Sequence, residues 1–375
     1  MKYFFGKVKS LNPTSFDSNV LLPIWYNTDP VFKMSKLENL LGSFIEFNQS
    51  LKDDIINAFL SVDDISKLFE DSSLSIPTGR DFGTIRWKTV RDSAGKVKEL
   101  TIADFLSQLF GYLYNNQLSK KDSSFCKKID SNLALFYKSF VKHNAIDFIE
   151  NMVCPYCGLE KIRDEENIRK PDHDHLLPKG NDLFVFSSVN SKNLFPSGTD
   201  CNIIKDTAIL LYSDDLHIRC KAFYPYSIGP HPFELYNVSL ECIQIPNFSN
   251  SYKGDWKVKI IPNDPEDVIT AEKIQSWDRV FKITSRYAKL ISTSNKSYID
   301  KELNLTKIQN VEELVKKIKE QRDRLPITYF MLSTETEVIP RKIFYEWAIN
   351  EISYLKELMR INIKHISGVK VDLDF

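Results

Sequence analysis

Between Cys154 and Lys205 the chain reads C-P-Y-C-G over Cys154–Gly158, D-H-D-H-L-L-P-K over Asp172–Lys179 and N-L-F-P-S-G-T-D-C-N-I-I-K over Asn193–Lys205. No other stretch gathers paired cysteines, histidines beside carboxylates and asparagines at spacings that can build a metal site and an attack site together. The residues between Cys154 and Cys157 make a tight turn that lets both thiols reach one zinc ion, and Pro155 with Gly158 is punctuation that such a knuckle tolerates. A C-x-x-C alone is a weak signal. A further cysteine, Cys201, beside Asn202 and beyond the histidine motif, makes it stronger.

At 375 residues the chain is long enough for more than one domain. Lysine plus arginine equals aspartate plus glutamate at 50 each, so attraction to a polyanion has to come from a local patch or a bound cation rather than from net charge. The cysteines at 126, 154, 157, 201, 220 and 242 are too few for a disulfide scaffold of this size and cluster around the histidine motif, which in a reducing compartment favours metal binding. The N-terminus has no apolar core long enough for a signal peptide, and no window approaches the roughly 18 apolar residues of a membrane span. The expectation is a cytoplasmic protein with no membrane partner.

The patterning predicts an α+β chain in three parts: a mainly helical region over 1–150, the cysteine–histidine unit over 151–215, and short strands followed by helices over 216–375. In the first part, Met34 to Leu60 carries apolar residues at helical intervals, Gly79 to Leu100 reads as a hairpin around Asp92-Ser93-Ala94-Gly95, Thr101 opens a helix, and a longer helix is expected from about Asp122 to Met152. In the last part, His217–Tyr224, Phe233–Ile245 and Trp256–Ile261 read as strands, and helices follow from Thr270, over Val311–Gln321 and from about Pro340. The basic residues Lys316, Lys317, Lys319, Arg322 and Arg324 alternate with acidic ones and read as a solvated helix face. His143, His217, His231 and His365 stand outside the motif and read as ordinary surface or core residues.

Within the motif, Asp174 immediately precedes His175, so a metal can take the carboxylate while the imidazole faces a water, a workable division of labour for phosphodiester hydrolysis. Cys201-Asn202-Ile203-Ile204-Lys205 reads as the start of a helix, on which Asn202 and Lys205 share a face.

These residues resemble the HNH endonuclease family, whose ββα-metal finger runs as C-x-x-C, Asp-His with a nearby proline, Asn-Leu, then C-x-x-C-Asn with a lysine after it. The resemblance covers residues 154 to 206. It implies His175 as the general base, Asp174 and Asn202 as ligands of a catalytic divalent cation, magnesium or manganese, and Asn193 as the residue that holds the loop and orients His175. Cys154, Cys157 and Cys201 match a structural zinc site. Lys205 becomes a phosphate contact or helix anchor, and Lys179 and His173 are further candidate substrate contacts. The chain departs from the family at Gly198, which stands where the first cysteine of the second pair belongs. The fourth zinc ligand is thereby left open among Cys220, His217, Asp200 and a water.

The resemblance implies hydrolysis of nucleic acid, with DNA the expected substrate. A small finger offers little contact area, so specificity is expected from the flanking regions or from another protein. The layout also resembles components of bacterial anti-phage systems that act beside a separate ATPase or sensor, and restriction-type or mobile-element nucleases nearly as well. The competing expectation is a zinc-stabilised nucleic-acid-binding or scaffolding protein without catalysis.

Overall fold

A computed structural model describes residues 1–28, 34–120, 123, 153–161, 172–179, 183–226, 232–246, 253–303, 305, 308–325 and 336–367. The helix expected from Asp122 to Met152, with Cys126 and His143, lies outside these residues apart from Ser123, as does His231. The chain divides into two compact units interleaved along the sequence. The first holds Met1–His143, His173–Pro196 and Asp206–Tyr226; the second holds Asn144–Asp172, Ser197–Lys205 and Ser227–Phe375. Asp174, His175, Lys179 and Asn193 therefore belong to the first unit, and Cys154, Cys157, Cys201, Asn202 and Lys205 to the second.

The first unit contains α1 (Lys2–Leu11), α2 (Ser35–Ile45), α3 (Gln49–Ser61), α4 (Ile65–Glu70), β1 (Arg86–Arg91), β2 (Val97–Thr101) and α5 (Ile102–Tyr112). To these it adds β3 (Asp172–His175) and β4 (Leu194–Ser197), which pair with each other. The apolar run from Met34 to Leu60 is broken into α2 and α3 because the Asn48 side chain accepts a hydrogen bond from the Leu51 amide and starts a new helix. Thr101 and Asp104 form a capping box that opens α5, directly after the antiparallel β1–β2 hairpin.

Phenylalanine decides the packing of this unit. Phe5 of α1 lies 5.0 Å from Phe59 of α3, Phe44 of α2 lies 6.5 Å from Phe105 of α5, and Phe110 of α5 lies 5.6 Å from Phe186. Phe186 sits in the connection between β3 and β4, so the aromatic core reaches directly into the chain beside His175.

The strand expected over His217–Tyr224 does not form; among the described residues this stretch makes only an isolated bridge, Tyr212 to Arg219. The reason is the Arg219 guanidinium, which donates to the carbonyls of Leu68 at 2.8 Å, Leu74 at 3.0 Å and Leu211 at 2.7 Å. Leu68 lies in α4 and Leu74 in the loop after it, so these bonds tie the segment to that helix end instead of to a strand partner.

The second unit contains α6 (Thr199–Lys205), β5 (Tyr236–Gln244), β6 (Asp255–Pro262), α7 (Val268–Phe281), α8 (Ile283–Leu303), α9 (Val311–Arg324), α10 (Val338–Asn350) and α11 (Ile352–Ser367). β5 and β6 form an antiparallel ladder. Trp256 of β6 meets Trp347 of α10 edge-on at 4.6 Å, and the Tyr345 hydroxyl donates to the Tyr298 carbonyl at 2.9 Å, tying α10 to α8. On α9, Val311, Leu314 and Ile318 are buried while Lys317 pairs with Glu313 at 3.5 Å, as a solvated amphipathic helix requires. The chain is thus α+β, and no helix among the described residues is long and apolar enough to cross a membrane.

Candidate active site and metal centre

β3 ends in Asp174-His175, and both side chains are buried. The Leu176 amide donates to the Asn193 carbonyl at 2.8 Å, which brings the start of β4 beside the end of β3. The His175 ring lies with Nε2 at 3.2 Å from the Ser188 carbonyl oxygen. A carbonyl can only accept, so Nε2 carries the hydrogen and Nδ1 is the ring nitrogen able to take a proton.

The Ser188 carbonyl is itself held in place. Asn193, fully buried, accepts from the Leu177 amide at 2.8 Å and donates to the carbonyls of Leu177 and Ser187, each at 3.1 Å. Asn190 ties the same loop to the end of α3 by donating to the carbonyls of Val62 and Asp63, each at 3.1 Å. Asn193 therefore acts on His175 through the backbone of the loop. Asn193→Ala is expected to cost about 3 kcal/mol or more, since buried partners lose bonds at roughly 1–3 kcal/mol each. Asn193→Asp should be no milder, because its second oxygen would face the carbonyls of Leu177 and Ser187. Thermal denaturation checks this, and an unchanged midpoint in either variant would refute the bridging role.

Beyond α5 the helix widens into a π turn over Leu113–Leu118, with the Ser119 amide donating to the Tyr114 carbonyl at 2.9 Å. The wider turn sets Tyr114 edge-on to the His175 ring at 4.7 Å between centroids. Lys179 places its Nζ 3.9 Å from the centre of the Tyr114 ring and donates to Asn115 Oδ1 at 2.9 Å. Burial pushes the Tyr114 hydroxyl pKa up, and the nearby Asp174 charge pushes it the same way, so the phenol stays neutral. Burial lowers the Lys179 pKa.

Sequence reasoning missed Tyr114 and Asn115. The available signal was Asn115-Asn116, poor helix formers at the end of an apolar helical run. Tyr114→Phe should retain most of any cleavage activity, whereas Tyr114→Ala should lower it about 100-fold by letting the imidazole shift by roughly 1 Å. Equal rates in the two variants would show that the ring does not position His175.

In the second unit the cysteine knuckle closes through backbone bonds: the Gly158 amide donates to the Cys154 carbonyl at 2.9 Å and the Cys154 amide to the Glu160 carbonyl at 2.8 Å. Gly158 has φ +64°, a conformation that favours glycine. α7 and α8 hold the knuckle from behind. Trp277 Nε1 donates to the Tyr156 carbonyl at 2.9 Å, the Tyr287 hydroxyl donates to the Cys157 carbonyl at 2.8 Å, and Tyr156 stacks on Phe281 at 4.1 Å.

Cys154, Cys157 and Cys201 are fully buried, and their sulfurs lie within 4.8 Å of one another. Burial drives the Cys154 thiol up, yet hydrogen bonds from Cys157 and Cys201 hold it well below the ordinary thiol value. Burial, then the bond to Cys154, raises Cys157 well above it, and bonds to Cys154 and Cys157 do the same to Cys201. The thiols are thus coupled to one another, and a soft divalent cation is the kind of charge that lets buried sulfurs ionise together. The donor set fits such a metal. Arg286 adds a positive charge beside it, with Nη1 3.1 Å from Cys201 Sγ.

On α6, Asn202 is half-buried and its amide donates to the Gly198 carbonyl at 3.0 Å. Lys205 is 1% exposed, a placement that suits a helix anchor and not an open phosphate contact. His173 is placed on β3 by its backbone, and its side chain lies outside the described residues. Of the residues left open as fourth zinc ligand, His217 and Asp200 are exposed, and Cys220 points its sulfur to the Ile218 carbonyl at 3.6 Å. Among the described residues the ligand group holds the three cysteine sulfurs alone.

No family model, curated protein or solved structure matches this chain. The likeness to HNH nucleases therefore rests on the motif residues themselves.

Proposed function

We propose that the chain is a metal-dependent HNH-type endonuclease that hydrolyses nucleic-acid phosphodiester bonds, with DNA as the substrate and His175 as the general base. The observation that carries this reading is the His175 imidazole, fixed by Nε2–H to the Ser188 carbonyl with Asp174 as its chain neighbour. The order strand, strand, helix over β3, β4 and α6 supports it. His175 Nδ1 takes the proton of a water whose oxygen attacks phosphorus, the bond from phosphorus to the 3′ oxygen breaks, and Asn193 keeps the imidazole in line through the loop. Asp174 would hold magnesium or manganese, and Asn202 is a ligand by the resemblance alone. Hard oxygen donors suit these ions, which are commonly bound by one or two carboxylates together with substrate phosphates. When bound, such a cation neutralises the developing phosphorane and leaving oxygen.

The cysteine cluster is assigned to structural zinc in the same reading. A small finger with little contact area, in a chain of zero net charge, fits an effector directed by another protein, and an anti-phage role beside an ATPase or sensor is the biological setting proposed.

One observation favours the competing reading of a non-catalytic zinc-stabilised binding or scaffolding module. His175 and Asp174 are 5% and 7% exposed, so substrate has to reach a deeply set base. Purified protein incubated with supercoiled plasmid and magnesium or manganese decides between them. Nicking or linearisation that chelator abolishes is expected, and intact plasmid under every metal would favour the binding module.

A further inference from the structure

The broken second cysteine pair leaves a question that the geometry around Gly198 answers. A Cβ built on Gly198 would lie 2.7 Å from Glu160 Cδ, 2.7 Å from Oε1 and 2.8 Å from Oε2. The Glu160 carboxylate thus stands in the volume that a cysteine at this position would fill. A side chain at 198 would require the flexible end of Glu160 to move aside.

The carboxylate arrives there by the fold of the knuckle, since the Glu160 carbonyl accepts the Cys154 amide and turns the chain back on itself at 2.8 Å. Its Oε2 accepts from the Asp200 amide at 3.0 Å, and its Oε1 lies 3.8 Å from Cys157 Sγ. A tetrahedral zinc with sulfur at ~2.3 Å and oxygen at ~2.0 Å sets such a sulfur and oxygen about 3.5 Å apart. The observed separation from Cys157 is close to that edge, while the carboxylate stands outside the group of sulfurs that lie within 4.8 Å of one another, so as a ligand it would swing toward the other sulfurs.

We propose that Glu160 is the fourth ligand of the metal held by Cys154, Cys157 and Cys201, so that three thiolates and one carboxylate replace the family's four thiolates. The exchange is charge for charge. Arg286, which donates to Glu160 Oε1 at 3.2 Å and to Cys201 Sγ at 3.1 Å, then spans two ligands, orients the carboxylate and offsets the excess negative charge. The inference rests on the zinc reading of the thiol cluster and is independent of nuclease activity.

X-ray absorption at the zinc edge of the full chain, together with chelator competition, tests it. The wild type should show a sulfur-rich shell with a single oxygen. Glu160→Ala should bind zinc at least 10-fold more weakly, the scale on which even outer-shell partners matter. Glu160→Ala combined with Gly198→Cys should regain affinity and show an all-sulfur shell, which keeps the test informative if the single variant fails to fold. Unchanged affinity in Glu160→Ala, or a double variant that keeps its oxygen, would overturn the Glu160 assignment alone. Purified wild type that holds no zinc would overturn the zinc reading with it, while plasmid cleavage is scored separately.

Discussion

His175→Ala is expected to lower the rate of magnesium-dependent plasmid cleavage by about 10²–10⁴-fold, the range for removing a positioned general base. The variant should stay folded. It loses the bond to the Ser188 carbonyl and the edge contact with Tyr114, a cost of about 1–3 kcal/mol in a unit whose aromatic core is untouched. Circular dichroism and a melting curve establish that, and a gel assay reads the rate. A fall in cleavage without a matching fall in stability separates loss of chemistry from loss of structure. Asn202→Ala, measured beside it, should remove metal-dependent cleavage with folding retained; full activity would move the catalytic cation to other ligands. Cleavage that persists at the wild-type rate in His175→Ala would remove the imidazole from the mechanism.

Cys154→Ser is expected to lose bound zinc and to unfold the knuckle of the second unit. Cys154 bonds to both partner thiols, and its backbone closes the turn at Gly158 and Glu160, so no neighbour can take its place. Structural zinc contributes about 10–16 kcal/mol in small zinc modules, and removing one thiolate forfeits a large share of it. The surrounding α7 and α8 keep their own core, so the damage should be confined to the knuckle and to the contacts it makes. The bond from Trp277 to the Tyr156 carbonyl offers an optical reporter, because losing the knuckle exposes an indole that is now buried. Metal analysis by mass spectrometry and tryptophan emission should change together, and chelator added to the wild type should reproduce both changes. A zinc ratio equal to the wild type would end the assignment.

Features set by neighbours in the chain were legible without a structure. Thr101 with Asp104, the hairpin around Gly95 and the turn between Cys154 and Cys157 each use bonds spanning a few residues, and their chemistry is written in adjacent letters. The division of Met34–Leu60 into α2 and α3 was missed even so, because periodicity continues across a break that only Asn48 marks. The absent strand at His217–Tyr224 was missed for a different reason. Arg219 is drawn to carbonyls of Leu68 and Leu74, and nothing near it in sequence announces that pull.

The same contrast runs through the sites. Sequence alone determined which residue types are available for chemistry: an Asp-His pair, a cysteine knuckle, an asparagine and a third cysteine at family-like spacing. Only the tertiary structure decided that Tyr114 and Lys179 frame His175, that Asn193 works through the loop backbone, and that Glu160 and Arg286 stand at the thiol cluster. Those partners meet through burial and long-range hydrogen bonds, whose energy depends on what surrounds a side chain and not on what precedes it in the chain. A carboxylate exposed in one fold is a ligand candidate in another, and the letter is the same in both.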